Sequence, residues 1–220
     1  TNFVGGKSKF TWDAFEPVAI LTYTPYVLGA RGNAPFDNLK GMIAAAKKAP
    51  GDLSVGVGLA STSHFLTLIL EDRTGIKLKN VPYDGTKAKV SALLAKTIDL
   101  SALDVISSKK YIAQGSVKVI ASATAERDPL LPDVPTFKEQ GVDLVYGLNR
   151  GIYLPKGTAA DVVKHWEGIF AKAAKDPSIV ADLKKKGTTV NYANAAALKA
   201  KMTEQTAVFL KIAKAVGLTK

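Results

Sequence analysis

LSVGVGLASTSH, Leu53 to His64, passes from an alternating apolar segment (Leu53, Val55, Val57) through Gly58 into three small hydroxyl residues, Ser61, Thr62 and Ser63. An apolar, helix-like run from His64 to Asp72 follows at once. The order is strand, tight turn, helix start. Backbone N–H groups in a helix's first turn have no partner inside the helix, and the macrodipole adds partial positive charge there, so such an end binds carboxylate or phosphate. Ser and Thr hydroxyls add donors without adding charge. The same residue types lead the N-cap position of ordinary helices. The stretch therefore reads either as half of an anion-binding site or as plain capping.

Working outward, strands and helices alternate. After Pro17, VAILTY and then, past Pro25, YVLGA read as two extended apolar segments separated by a break. Residues 1 to 16, with Gly5-Gly6 and then Phe10, Trp12 and Phe15, read as an irregular lead-in. Asn33-Ala34-Pro35 and Asp37 signal a helix through Ala49, stopped by Pro50-Gly51. Beyond the opening stretch, whose helix ends at Gly75, LKNVPY reads as a strand and Asp84-Gly85 as a turn. Thr86 to Ala95 reads as an amphipathic helix with Val90, Leu93 and Leu94 on one face. IDLSALD is a strand with Asp104 at its C-terminal end, followed by a short helix through Ile112 and the strand VKVIASA. This alternation predicts a largely parallel sheet with helices on both faces, whose ligands sit beyond the carboxyl ends of the strands, where Ser61 to Ser63 and Asp104 fall. ERDPLLPDVPTFKEQG then breaks the rhythm as a rigid, proline-set connector, read as a return crossing between two lobes. Residues 158 to 217 read as helical. Thr158 with Asp161 forms a capping-box pattern, Asp176-Pro177 starts a second helix ended by Gly187, and Asn194 starts a third with Leu198, Met202, Val208, Phe209 and Ile212 as its buried face.

A chain of 220 residues, 47% hydrophobic, can bury a real core. No apolar run reaches the roughly 20 residues of a membrane span, so no direct membrane insertion is expected. Without Cys there are no disulfides, thiolate nucleophiles or Cys-based zinc sites. His64 and His165 are the only histidines, with no carboxylate at metal-ligand spacing, so neither a metal nor a cofactor is expected. Net charge is +11, of which residues 156 to 220 supply +7 through 12 Lys, no Arg and 5 acidic residues. Nucleic-acid readers add Arg and stacking aromatics. Lysines scattered on helical faces read instead as a solvated surface, and no nucleic-acid partner is expected. Such a surface still draws anionic small molecules by its long-range field.

NLKGMIAAAKKAPGDLSVGVGLASTSHF, KNVPYDGTKAKVSALLAKTIDL, GSVKVIASATAERDPLLPDVPTFKEQG and YLPKGT resemble, in order and spacing, the Bug family of extracytoplasmic solute-binding receptors of tripartite tricarboxylate transporters. The resemblance runs from about Phe15 to the C-terminus. It implies an α/β, type II periplasmic-binding-protein fold with two lobes and a hinge. Organic anions would be held in the interlobe cleft by amides, hydroxyls and water, in the periplasm, for delivery to a membrane permease. The expected ligand is a small organic acid or amino acid. Carried over, the resemblance puts Ser61, Thr62 and Ser63 on the ligand carboxylate, with Asp104 at the neighbouring strand end. His64 itself reads as a residue of the helix's first turn, either bonded to backbone or touching ligand. Family members usually begin with further first-lobe elements absent before Phe15, and the start TNFVGG lacks Met. The expectation is thus a processed or truncated chain without its signal peptide and with an incomplete first lobe. Residues 1–25 would be the remnant of lobe 1 and the hinge crossing, 26–125 lobe 2, and 126–220 the return crossing with the C-terminal helical part of lobe 1. Ala60 stands where the family commonly has Gly, Lys96-Thr97 replace a Gly-containing turn, and Asn149-Arg150 occupy a place often held by Trp. Arg150 reads either as a bidentate contact for a second carboxylate or as a hinge-surface arginine with no ligand.

Two other classes compete. An enzyme would need a nucleotide-binding or nucleophile motif, and GVGLASTS lacks the lysine of a P-loop, the glycine spacing of a dinucleotide fingerprint and a nucleophile elbow. The effector domain of a transcriptional regulator shares the fold but would bring a DNA-binding helical module.

Overall fold

The computed structural model describes residues 8–129, 131–186 and 188–218. The chain divides into two compact units: Pro25–Gly147 forms one, and Thr1–Thr24 with Leu148–Lys220 forms the other. Gly5-Gly6 and Gly187, read above as part of the lead-in and as a helix stop, lie outside the described residues.

A single strand, β1 (Phe15–Arg31), serves both units. The break expected at Pro25 is absent, and the ladder explains why. Ala19 to Tyr23 pair antiparallel with β7 (Thr189–Asn194), while Tyr26 to Ala30 pair antiparallel with β4 (Leu100–Asp104). Pro25 falls where the strand changes partners, so its missing N–H interrupts neither ladder, and its fixed φ suits extended backbone.

In the 25–147 unit the strand order is β3-β2-β4-β1-β5, with β2 (Ser54–Val57), β3 (Lys79–Pro82) and β5 (Val117–Ser122). β2 runs parallel to both β3 and β4, and β1 is the antiparallel insertion between β4 and β5. The helices are α1 (Leu39–Lys48), α2 (Thr62–Thr74), α3 (Gly85–Leu94) and α4 (Val105–Ala113). Asn38 caps α1 by accepting the Gly41 N–H at 2.8 Å, and Gly75 ends α2 in the left-handed conformation, φ +68°. Val27, Val90, Leu93, Ile98, Leu103, Val105 and Val117 form one apolar cluster. On α3 the expected face is rotated. Leu94 is 47% exposed, and Lys89 instead lies inside beside Val90 and Leu93. The proline-rich connector folds onto this unit rather than leaving it. Phe137, fully buried, donates its N–H to the Ser122 carbonyl, and Arg127 Nε donates to both Glu139 oxygens at 3.0 and 3.1 Å.

In the other unit β6 (Gly147–Pro155) and β7 both pair with β1, beside α5 (Ala160–Ala173), α6 (Pro177–Lys185) and α7 (Ala195–Ala215). β7 corrects the all-helical reading of 158–217: TVNYAN has too few residues to show a period, and its partner is distant in sequence. The capping box also fails. Ala159 takes the N-cap position of α5, and Thr158 Oγ1 donates back to the Pro155 carbonyl at 2.7 Å. Asp176 and Asn194 do cap α6 and α7. Leu198, Phe209 and Ile212 of α7 are buried, whereas Val208 is 41% exposed.

Candidate functional site

Because β2, β3 and β4 are parallel neighbours, the helices that follow them all begin at one edge of the sheet in the 25–147 unit. These are the starts of α2, α3 and α4, so three sets of first-turn N–H groups share that edge.

The tightest of the three is Gly58 to His64. Ser61 is the N-cap of α2, and its N–H donates to the Gly58 carbonyl at 2.9 Å. Ser63 Oγ, buried, accepts the Gly58 N–H at 2.9 Å and lies 2.9 Å from Ser61 Oγ. A Cβ on Gly58 would stand 2.9 Å from Ser61 Oγ, so a side chain there would push the Ser61 hydroxyl out of its place beside Ser63. His64 is 5% exposed, and its Nδ1 accepts the Ala60 N–H at 3.2 Å. A neutral ring with its proton on Nε2 satisfies that bond, and burial lowers the His64 pKa in the same direction. The N–H groups of Thr62 and Ser63 have no hydrogen-bond partner among the described residues. Ser61 and Thr62 are half-exposed.

Asp104, half-buried, closes β4 and caps α4. Its Oδ1 accepts the Ser107 N–H at 2.8 Å, and its Oδ2 accepts from Thr86 Oγ1 at 2.7 Å. Both carboxylate oxygens are thus engaged by neutral donors, and Thr86 ties the start of α3 to the end of β4. The fold therefore places Ser61, Thr62, Ser63, His64 and Asp104 at ends of adjacent parallel strands. Arg150 belongs to the other unit. It is exposed on β6, and its Nη1 donates to Thr24 Oγ1, which lies 3.3 Å from Thr188 Oγ1.

Two residues that motif reading passes over also belong to this edge, Thr86 and Lys89. Lys89 had a legible signal: at i−4 from Leu93 and i−3 from Ala92 it occupies the apolar stripe of α3. Thr86 had none, because its acceptor stands on another strand. Among the described residues no group of three or more His, Cys, Asp or Glu is placed to hold a metal.

The Tripartite tricarboxylate transporter family receptor, TctC, matches residues 6–218. The UPF0065 protein of the tcbD-tcbE intergenic region in Pseudomonas sp. (strain P51) is 31% identical over 178 residues, 79% of this chain and 52% of that protein. The structure of the periplasmic binding protein BugD is 31% identical with a TM-score of 0.75, over 94% of this chain and 70% of that one. MatC from Rhodopseudomonas palustris, with bound malate, is 25% identical with a TM-score of 0.79, over 95% of this chain and 74% of that one. The chain spans about half the length of curated relatives such as the Pseudomonas protein. With a match over almost its whole length and a mixed α/β architecture in common with these structures, the chain belongs to the TctC family of tripartite tricarboxylate transporter receptors.

Proposed function

We propose that this chain is the ligand-capturing part of a periplasmic solute-binding receptor that holds a small organic carboxylate and delivers it to a tripartite tricarboxylate permease. The observation that carries the reading is the start of α2. Two adjacent N–H donors, those of half-exposed Thr62 and buried Ser63, have no partner among the described residues at a helix end where the macrodipole favours negative charge. Ser61 completes the cradle. If the Ser63 hydroxyl donates to Ser61 Oγ, the Ser61 proton is released toward a ligand oxygen. Ser63 and His64 act behind the cradle, the one holding Gly58 and the other holding Ala60. Arg150, in the other unit, gives one guanidinium N–H to Thr24 Oγ1 and carries further N–H groups of the kind that suit a carboxylate. The malate bound to MatC agrees with a ligand of this class. An acid without an amino group fits better than an amino acid, because Asp104, the carboxylate that would take an ammonium, already has both oxygens engaged. A receptor also requires that the ligand return chemically unchanged, which separates it from an enzyme.

The test is calorimetric titration with malate, adipate, an aromatic acid and an amino acid, using the wild type and Thr62→Pro. Proline is tolerated at the first helical position, and Ser61 before it is already extended, so this change deletes one donor while leaving the helix in place. The expected result is binding of a dicarboxylate by the wild type and a loss of about tenfold or more in the variant. Undiminished binding by Thr62→Pro removes the α2 start from the site.

A further inference from the structure

Lys89 is the one lysine or arginine among the described residues that is fully buried, at 3% exposure. Its stem crosses β2 toward β4. Cγ lies 3.5 Å from where a Gly56 Cβ would stand, and Nζ donates to the Ala102 carbonyl at 2.6 Å. Gly56 makes the room, since a side chain there would also meet Ile98 Cδ1 at 2.6 Å. An ammonium has three protons to place, and Ala102 takes one. No second acceptor stands among the described residues. An interior lysine without a carboxylate ion pair is unfavourable for folding, so a role at this position has to be sought in the site.

The neighbouring charge is Asp104, at the end of the same strand, tied to α3 by Thr86 one turn before Lys89. That carboxylate shares the sheet edge with the α2 start, and like charges repel: alone, it would oppose the anion that the α2 start attracts. Lys89 lies beneath the same strand end. Of the charged groups on the elements packed against α3, Asp104 is the one that acts on the ammonium. β2 carries none, Lys109 and Lys110 of α4 are exposed, and Lys118 of β5 is paired with Asp37.

We propose that Lys89 is the specificity-determining cation of this edge: its buried ammonium offsets the Asp104 charge, so that the edge accepts an anionic acid, and the acid and the Lys89 proton bind cooperatively. The inference rests on the α2 start being the carboxylate site. Burial brings the Lys89 amine down to about 8, with Asp104 pulling it back up. The proton is therefore partly lost in the free protein just above neutrality, and a bound anion favours its return.

The experiment is calorimetric titration of the chain with malate in buffers of different ionisation heat, from about pH 7 to about pH 9.5. It compares the wild type, Lys89→Met, Lys89→Arg and Lys89→Met with Asp104→Asn, each checked for folding by thermal denaturation. The wild type is expected to bind about three- to tenfold more weakly at the alkaline end, and to take up a fraction of a proton near pH 8. Lys89→Met should bind weakly at pH 7 with a flat pH profile and no proton uptake. Lys89→Arg should bind at pH 7 without the alkaline loss, and Asp104→Asn should restore affinity to Lys89→Met. Wild-type affinity and profile in Lys89→Met, or no proton uptake by the wild type, overturns the proposal; should the variants fail to fold, the wild-type proton uptake decides it alone. If the wild type binds no acid at any pH, the α2 reading fails and this inference falls with it; acid binding indifferent to Lys89 overturns this inference only.

Discussion

Ala60 and Lys96 hold φ values of +57° and +58°, in the left-handed region where a Cβ crowds the next carbonyl at a cost of about 1–2 kcal/mol. Ala60 is held there from two sides, by its N–H bond to His64 Nδ1 and by the burial of its side chain. Lys96 is exposed and is held by backbone alone, its N–H donating to the Leu93 carbonyl at 3.1 Å. Ala60→Gly and Lys96→Gly are each expected to raise unfolding free energy by about 0.5–1 kcal/mol, because relief of strain exceeds the added entropy of the unfolded chain. Urea denaturation with an unchanged slope checks this, and a lower midpoint for either variant counts against strain at that position. Both positions were legible as departures from a glycine pattern, but their φ values were not.

Among the elements, Asp99 fastens the edge of the sheet opposite the candidate site. It precedes β4, accepts Arg31 Nε from the end of β1 at 2.9 Å, and accepts both the Ser54 N–H and Ser54 Oγ from the start of β2, at 3.0 and 2.7 Å. Burial pushes its pKa up, but the hydrogen bonds from Ser54 and then Arg31 outweigh burial and leave it below the usual carboxylate value. A carboxylate depressed in the folded state contributes stability above its unfolded pKa and loses it as pH falls through the folded value. Asp99→Ala should therefore cost about 2–3 kcal/mol at neutral pH. The gap from wild type should narrow as pH drops below about 4. Denaturant titrations at both pH values measure it, and a gap independent of pH would show that packing rather than charge is lost. None of this followed from the sequence, since Arg31, Ser54 and Asp99 become neighbours only through strand pairing.

For the molecule as a whole, a net charge of +11 raises the local concentration of anions at the surface. Stopped-flow association of malate should slow about severalfold between low salt and about 0.3 M salt, with the dissociation rate nearly constant. A salt-independent association rate would remove the steering role of the lysine-rich surface. The alternation of strands and helices from α1 to β5, the capping of α6 and α7, and the hydroxyl-rich start of α2 were determined by the sequence alone, because each depends on residues within a few positions of one another, whereas α1 is capped by Asn38 and not by the Asn33 to Asp37 signals that precede it. The proline-rich connector, and then the family pattern, supplied the two-lobe reading, which periodicity could not. Tertiary structure decided what depends on distant partners. β1 runs unbroken through Pro25 because its ladders change there, β7 is a strand because β1 pairs with it, and Lys89 is interior because Gly56 leaves it room and Ala102 offers it an acceptor. Local spacing sets which backbone donors are unsatisfied; only the packed sheet sets which charges stand beside them.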